Sequence, residues 1–589
     1  MNLFVRKVLT PDGVRTMHVA TADSDPRALW KSSAVTILRG DADASSVRAL
    51  LDEGLAEKVD REKLFLVFPD PLGGAWNSRL DPDGPRDAEW IAAIQDSLNS
   101  GRLTAGWRAI NDVHYLLGIG SGADMVHTLA AAFPTGALAA AVCTVGGAVT
   151  DEALARATYS PVPAYLVSPD PRTTEYYIRA NAAKPSGEPG QFACPHHPLQ
   201  KVRVEDGGRF TRAVCDVMWE TFFRRIRRTN TSPTGDVDRR IVPEECGFNW
   251  HIADTRLGDN GGMGHDWLEH VPAQVLVHPE RKVPLMVFGH GATDNPLKAA
   301  DMAKFHEIGE REGFVTVYPA SSDRVRWNLS RSTAEADDVA YYDALIDYLV
   351  RTYPIDTTRI YLSGFSNGAG MAMTYAMARP ERIAAICPVD STFPYASMRF
   401  FRPGGSGEPF MTEIPEPGEA PPAPLFKPSS DPEANLAPMR AALASQAGRP
   451  LRMPVMYFYG SRESEYPIRA GSNQQIQYEF WKRFNRMPVG ETVDALEPEA
   501  VGVIGDERFE LRPSAEHPGH VFGHHVFRAP DDGREYYNFV LMHGKAHDVH
   551  PAERELGWGF VSRFSRNPDG TLNDAAGSPS GAKPADRRG

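Results

Sequence analysis

Short, unbroken apolar runs alternate along this chain with amphipathic stretches of helical period, which predicts strands and helices in turn. In the second half the runs are Val283-Pro-Leu-Met-Val-Phe288, Phe314-Val-Thr-Val-Tyr-Pro319, Ile360-Tyr-Leu-Ser363 and Met453-Pro-Val-Met-Tyr-Phe-Tyr-Gly460. Asp338-Val339 opens a helix with apolar positions near Tyr342, Leu345, Ile346 and Leu349. Such runs separated by helices imply a mostly parallel sheet covered on both faces.

The first half repeats these landmarks in the same order. Ala34-Val-Thr-Ile-Leu38 leads into Arg39-Gly40-Asp41, as Val283–Phe288 leads into Gly289-His290-Gly291-Ala292. Leu64–Pro69 precedes Trp76-Asn77, as Phe314–Pro319 precedes Trp327-Asn328. Asp87 opens a helix through Trp90, Ile91, Ile94 and Leu98; His114-Tyr-Leu-Leu117 leads into Gly118-Ile-Gly-Ser-Gly122; Val162–Val167 echoes the fourth run. The expected architecture is therefore α/β: tandem domains with mostly parallel sheets, the first over residues 1–235 and the second over 240–567. The joint is expected between Arg228 and about Pro243, where Thr229-Asn-Thr-Ser-Pro-Thr-Gly-Asp236 is linker-like. A Pro- and Gly-rich insertion at 396–450 interrupts the second domain and reads as a lid, with Tyr395, Phe400, Phe401, Phe410 and Phe426 able to pack on an apolar substrate. The tail 568–589 reads as disordered.

Composition narrows the partners. The 589 residues carry a formal charge of −13, which disfavours phosphate backbones and anionic membranes. With 42% hydrophobic and 24% charged residues, both halves can bury full cores. No window approaches the roughly 18 apolar residues of a membrane span. The amino terminus lacks the apolar core of a secretion signal, and the five cysteines are scattered without a C-x-x-C pair, so a reducing, cytoplasmic setting is expected.

The chemistry centres on Gly364-Phe365-Ser366-Asn367-Gly368, a G-x-S-x-G nucleophile elbow that follows a strand and precedes a helix. A serine hydroxyl needs an imidazole to take its proton and a carboxylate to orient that imidazole. In the order serine, acid, histidine, the acid falls in Gly460-Ser-Arg-Glu463-Ser-Glu465-Tyr-Pro467. The histidine falls after the strand Glu535–Met542, in the stretch His543-Gly-Lys-Ala-His547-Asp-Val-His550.

At these residues the chain, from about 265 to 565, resembles the polyhydroxybutyrate-depolymerase-like esterases, an α/β-hydrolase family that includes feruloyl and acetylxylan esterases. The resemblance rests on His290-Gly291-Ala292, Trp327-Asn328, Asp338-Val339, the G-x-S-N-G elbow and the strand end Pro388-Val389-Asp390. It implies Ser366 as nucleophile, His547 as base and Glu463 as acid, with Glu465 the competitor and His543 and His550 the alternative bases. The oxyanion hole would use the N–H groups of Asn367 and Ala292, with Gly291 as a further donor. His290, Trp327 and Asn328 would lie beside the substrate. Two departures stand out: the family usually has Asp where Glu463 stands, and glycines where Lys545-Ala546 precede His547.

The first half places Gly120 where Ser366 stands and Arg39 where His290 stands, so it reads as a hydrolase-like domain without its nucleophile. His517, His520, His524 and His525 lack acidic or Cys partners at ligand spacing, so no metal is expected, and nothing implies an organic cofactor. The reading is a serine carboxylic-ester hydrolase acting on a polyester oligomer or a hydroxycinnamoyl, acetyl or other small ester. The alternative is a serine peptidase or amidase of the prolyl-oligopeptidase type, and a third reading is a binding module with both halves inactive. The amino-terminal domain is expected to cover an apolar face of its neighbour or to build a homo-oligomer, the alternative being a binding role in the vestigial pocket near Gly118 to Gly122.

Overall fold

The two halves build separate sheets. In this computed structural model the described residues are 1–23, 32–40, 44–100, 103, 109–133, 139–391, 393–396, 410–414, 431–446, 451–489 and 503–575. The chain divides into one unit of Met1–Val242 with Ser406–Pro424, and a second of Pro243–Gly405 with Leu425–Gly589.

In the second unit the strands lie in the order Asn249–Asp254, His265–His270, Val315–Pro319, Val283–Gly289, Ile355–Phe365, Ala385–Val389, Val455–Gly460, Glu535–Met542, Phe522–Arg528 and Glu507–Leu511. From Val315–Pro319 to Glu535–Met542 every pairing is parallel, and antiparallel strands flank this centre. The central strands are buried on both faces, which is why they read as unbroken apolar runs. Helix Asp338–Thr352 buries Val339, Tyr342, Leu345, Ile346 and Leu349, the stripe its period predicted. This is the α/β-hydrolase arrangement.

The first unit shows the same succession. An antiparallel hairpin, Asn2–Thr10 with Gly13–Thr21, leads to Phe65–Pro69, Ser32–Leu38, Ala109–Ile119, Ala141–Val145, Ala164–Val167 and His197–Glu205, these last six parallel. The repeated landmarks have the same duties in both units. The Trp327 indole donates to the His290 carbonyl at 2.9 Å and the Trp76 indole to the Arg39 carbonyl at 2.7 Å. Asp338 accepts the Asn328 N–H at 2.8 Å and Asp87 accepts that of Asn77 at 2.7 Å. The amide groups of Asn328 and Asn77 each staple two carbonyls of the loop that follows. These residues tie the loop after the second strand to the loop after the first and to the next helix.

Three expectations need correction. The linker-like stretch 229–236 is the turn of a hairpin, Ile226–Thr229 with Asp236–Arg239, held inside the first unit. The buried Arg228 guanidinium donates to the carbonyls of Pro161 and Thr234 and keeps it there. Secondly, part of the insertion is no lid: Thr412–Ile414 pairs antiparallel with Asn2–Thr10 as the edge strand of the first sheet, Met411 joins that unit's core, and Phe410 packs against the same core beneath the Arg86 guanidinium. A helix, Pro432–Ser445, follows in the second unit and packs on the helices Asn367–Ala378 and Asn473–Phe484. Phe400, Phe401 and Phe426 lie outside the described residues. Thirdly, the tail is ordered to residue 575: Phe564–Arg566 pairs with Leu572–Asp574, anchored by the buried Arg566 guanidinium on the carbonyls of Ile383, Gly570 and Arg452. Residues 576–589 lie outside the described part. Among the described residues no helix is long and apolar enough to cross a membrane.

Candidate active site

Strand register brings the chemistry together. Gly289 pairs with Gly364, Phe365 with Val389, Val389 with Phe458, and Gly460 with Met542. Adjacent parallel strands thus end level, and the loops carrying Ala292, Ser366, Asp390, Glu463 and His547 all leave the same carboxyl-terminal edge, where open α/β sheets place their ligands.

Ser366 sits between strand Ile355–Phe365 and helix Asn367–Ala378 at φ 53° and ψ −117°, a strained conformation for a residue with a Cβ. The flanking glycines are steric requirements. A Cβ on Gly364 would fall 2.4 Å from backbone atoms of Gly368, and one on Gly368 would fall 2.2 Å from the Gly289 carbonyl oxygen. The turn holds Ser366 at the amino end of a twelve-residue helix, whose free N–H groups favour negative charge.

The structure separates the candidate acids. Glu463 is buried and its Oε1 lies 2.8 Å from His547 Nδ1. Glu465 instead caps helix Asn473–Phe484, accepting the Asn473 side-chain amide at 2.7 Å and the Gln474 N–H at 3.1 Å, and burial pushes its carboxyl up to about 7. The competing histidines also fall away. His550 accepts the Ala552 N–H at 3.0 Å as the cap of helix Pro551–Val561, and His543 is an exposed strand-end residue.

With Nδ1–H given to Glu463, Nε2 of His547 is the basic nitrogen. Partial burial opposes charge on the ring, but the Glu463 carboxylate outweighs it and raises the imidazolium to about 9. The His547 ring lies 4.6 Å from that of Phe365, the residue preceding the serine. Ser366 itself makes no hydrogen bond to His547 among the described residues, the loose contact common in a ligand-free site. The acid and base loops are stitched directly: Arg462 N–H donates to the Lys545 carbonyl at 2.9 Å and Gly544 N–H to Ser461 Oγ at 2.8 Å.

His290, Trp327 and Asn328, expected beside the substrate, are instead buried with their polar groups engaged. Ser321 N–H donates to His290 Nε2 at 2.9 Å, so Nδ1 carries the proton and donates to the Gly291 carbonyl at 2.7 Å. The Asp294 N–H also donates to that oxygen, at 3.0 Å. In a trans peptide the N–H points opposite the carbonyl, so fixing the Gly291 oxygen fixes the direction of the Ala292 N–H. The Asn367 side chain accepts the Trp327 N–H at 2.6 Å, which leaves its backbone N–H as its contribution at the elbow.

Two groups were not singled out from sequence. Asp390, fully buried at φ 50°, and Lys545, fully buried one residue short of Ala546-His547, pair at 2.9 Å, and Lys545 also pairs with Glu553 at 2.5 Å. Donor atoms of Asp390, Glu463 and His547 lie within 4.8 Å of one another, a spacing that suits a cation, but the Lys545 ammonium already sits against this cluster. The departure at Lys545 was the available signal.

The first unit has the same turn with a glycine where the serine stands. Gly120 adopts φ 59° and ψ −126°, and a Cβ on Gly122 would fall 2.1 Å from the Leu38 carbonyl oxygen, as Gly368 approaches Gly289. Arg39 donates to Ser46 and Asp70 where His290 would hold its loop. The loops 146–150, 168–170 and 206–211, which leave the equivalent sheet edge, contain no histidine.

Parts of the chain are similar to known esterases. The chain is 29% identical over 144 residues to a bifunctional acetylxylan esterase/xylanase of Neocallimastix patriciarum, covering 24% of this chain and 20% of that protein. It is 26% identical over 163 residues to feruloyl esterase B of Talaromyces funiculosus, covering 27% of this chain and 44% of that one. It therefore spans less than half the length of these curated relatives. Among solved structures, an acetyl xylan esterase from Aspergillus awamori is similar at 15% identity and a TM-score of 0.34, over 54% of this chain and 98% of that one. Residues 272–396, which contain the loop of His290 to Ala292, the Trp-Asn staple and the Ser366 elbow, match the family described as Esterase PHB depolymerase.

Proposed function

We propose that the second unit is a serine carboxylic-ester hydrolase working through an acyl-enzyme. The observation that carries the reading is the Glu463–His547 pair at 2.8 Å on the sheet edge where the strained Ser366 elbow emerges. Ser366 Oγ attacks the ester carbonyl carbon while His547 Nε2 takes its proton, and Glu463 holds the imidazolium that forms. The N–H groups of Asn367 and Ala292 receive the oxyanion. His547 returns the proton to the leaving alcohol, and water then releases the acid from Ser366 by the same steps. The names of the relatives favour an acetyl or hydroxycinnamoyl ester, and the family a hydroxyalkanoate oligomer. A peptidase of the prolyl-oligopeptidase type is disfavoured because the first unit is an α/β sheet and not a propeller.

Ser366→Ala is expected to abolish hydrolysis of a p-nitrophenyl short-chain ester, and a fluorophosphonate is expected to label Ser366 alone, read by peptide mass spectrometry. Retained turnover in that variant would end the reading. The first unit, with Gly120 in its elbow, is proposed to be a structural partner without chemistry of its own; Gly120→Ser is then expected to add no activity to a Ser366→Ala background.

A further inference from the structure

Three buried charged side chains surround the segment that carries the base. Asp390 Oδ2 accepts two donors from that segment: Lys545 Nζ at 2.9 Å and the backbone N–H of Asp548 at 3.2 Å. His547 lies between those two anchor points in the chain. Lys545 reaches onward to Glu553 Oε1 at 2.5 Å, and Glu553 Oε2 accepts the His550 N–H at 2.9 Å in the first turn of helix Pro551–Val561. The other oxygen of Asp390, Oδ1, is buried without a hydrogen-bond partner. Asp390 itself is set by φ 50° at the end of strand Ala385–Val389, with its N–H on the Phe458 carbonyl at 3.0 Å.

A buried ion network of this kind is a poor source of stability, since neutral groups of similar volume often serve as well. Its geometry has a more specific consequence. Fixing the residues on both sides of His547 to one carboxylate leaves the ring little freedom except rotation about its own side chain, and the Glu463 bond removes that. Asp390 is also the second carboxylate facing the imidazole. Building on the esterase reading above, we propose that Asp390 and Lys545 are positioning residues of the active site, an ion pair that holds the 545–548 segment so that His547 Nε2 meets Ser366.

The test compares two neutralisations that remove one charge each from Lys545. Asp390→Asn and Glu553→Gln each take one carboxylate from Lys545, but only Asp390 also accepts the Asp548 N–H and so holds the segment on both sides of His547. With a p-nitrophenyl ester, Asp390→Asn is expected to lower kcat about 10- to 100-fold at unchanged KM, the scale of a misplaced catalytic group, and Glu553→Gln clearly less. The limb of the pH profile that reports His547 should move to lower pH in Asp390→Asn and stay in place in Glu553→Gln. The groups facing the ring and its network are Glu463 from the acid loop, Asp390 from the strand end, Lys545 and Asp548 from its own loop, Glu553 and His550 from the following helix, and the phenols of Tyr457 and Tyr459 beneath. A third protein, Lys545→Met with Asp390→Asn and Glu553→Gln, carries no unpaired buried charge and guards against failure to fold. It is expected to fold and to show the same loss in kcat. Equal losses in the two single variants, or wild-type kcat in the folded triple variant, would overturn the positioning role. Ser366→Ala and His547→Ala run alongside: turnover retained there refutes the esterase reading and this proposal with it, whereas turnover lost there with the triple variant intact refutes this proposal alone.

Discussion

The elbow makes a stability prediction that can be read without any substrate. Ser366 and Gly120 occupy nearly the same backbone conformation, φ 53°, ψ −117° and φ 59°, ψ −126°. For a residue with a Cβ this region costs about 1–3 kcal/mol, and for glycine it is open. Ser366→Ala removes the hydroxyl and keeps the strain. Ser366→Gly removes both, while the freer unfolded chain takes back about 0.5–1 kcal/mol. The glycine variant should therefore exceed the alanine variant by about 1 kcal/mol, or about 2–4 °C in the melting temperature of the second unit. Both variants should be inactive, so function does not enter the comparison. The first unit supplies the mirror experiment. A Cβ on Gly120 meets no atom within 4 Å, so Gly120→Ala adds strain with no clash and should lower stability by a similar amount. Scanning calorimetry of the full chain reads all three variants. If Ser366→Gly melts no higher than Ser366→Ala, and Gly120→Ala melts with the wild type, the elbow stores no strain and the argument fails.

Other outcomes follow from single contacts. His547 must be neutral to accept the serine proton, and its raised value of about 9 means that kcat/KM should climb with pH towards that limb; Glu463→Gln, which removes the carboxylate that raises it, should shift the limb to lower pH and reduce kcat by about 10³- to 10⁴-fold. A pH profile unchanged in that variant would exclude Glu463 as the acid. Gly368→Ala would drive a Cβ to 2.2 Å from the Gly289 carbonyl oxygen and should leave the second unit misfolded or insoluble, where an exposed Gly→Ala would be nearly silent. Met411→Ala empties a position in the core of the first unit and should destabilise that unit by about 2–5 kcal/mol while ester turnover per folded molecule stays at the wild-type level; a fall in turnover without a change in melting would instead return the insertion to a role in the pocket.

What could be read from the chain alone was whatever local chemistry demands. Gly364-Phe-Ser-Asn-Gly368 is legible because a strand-to-helix turn at φ 53° tolerates only small neighbours: Gly364 meets Gly368 within the turn itself, and Gly368 meets the end of the neighbouring strand at Gly289. The parallel sheets were legible because strands buried on both faces must be apolar throughout, and the period of helix Asp338–Thr352 followed from the face it buries. The tertiary structure decided whatever depends on register and on partners far along the chain. Glu463 and Glu465 are two residues apart and chemically alike; one meets His547 and the other caps a helix because the loop between them turns. Trp327 and Asn328 looked like pocket residues and are staples, since their polar groups find carbonyls of neighbouring loops. Composition alone gave no hint that Met411–Ile414 would complete the first unit's sheet, because a three-residue strand acquires its identity from the edge it pairs with. The ammonium of Lys545 shows the same limit most sharply: a lysine in a loop reads as solvated until two carboxylates, Asp390 from a distant strand end and Glu553 from the helix that follows, close around it and make its burial bearable.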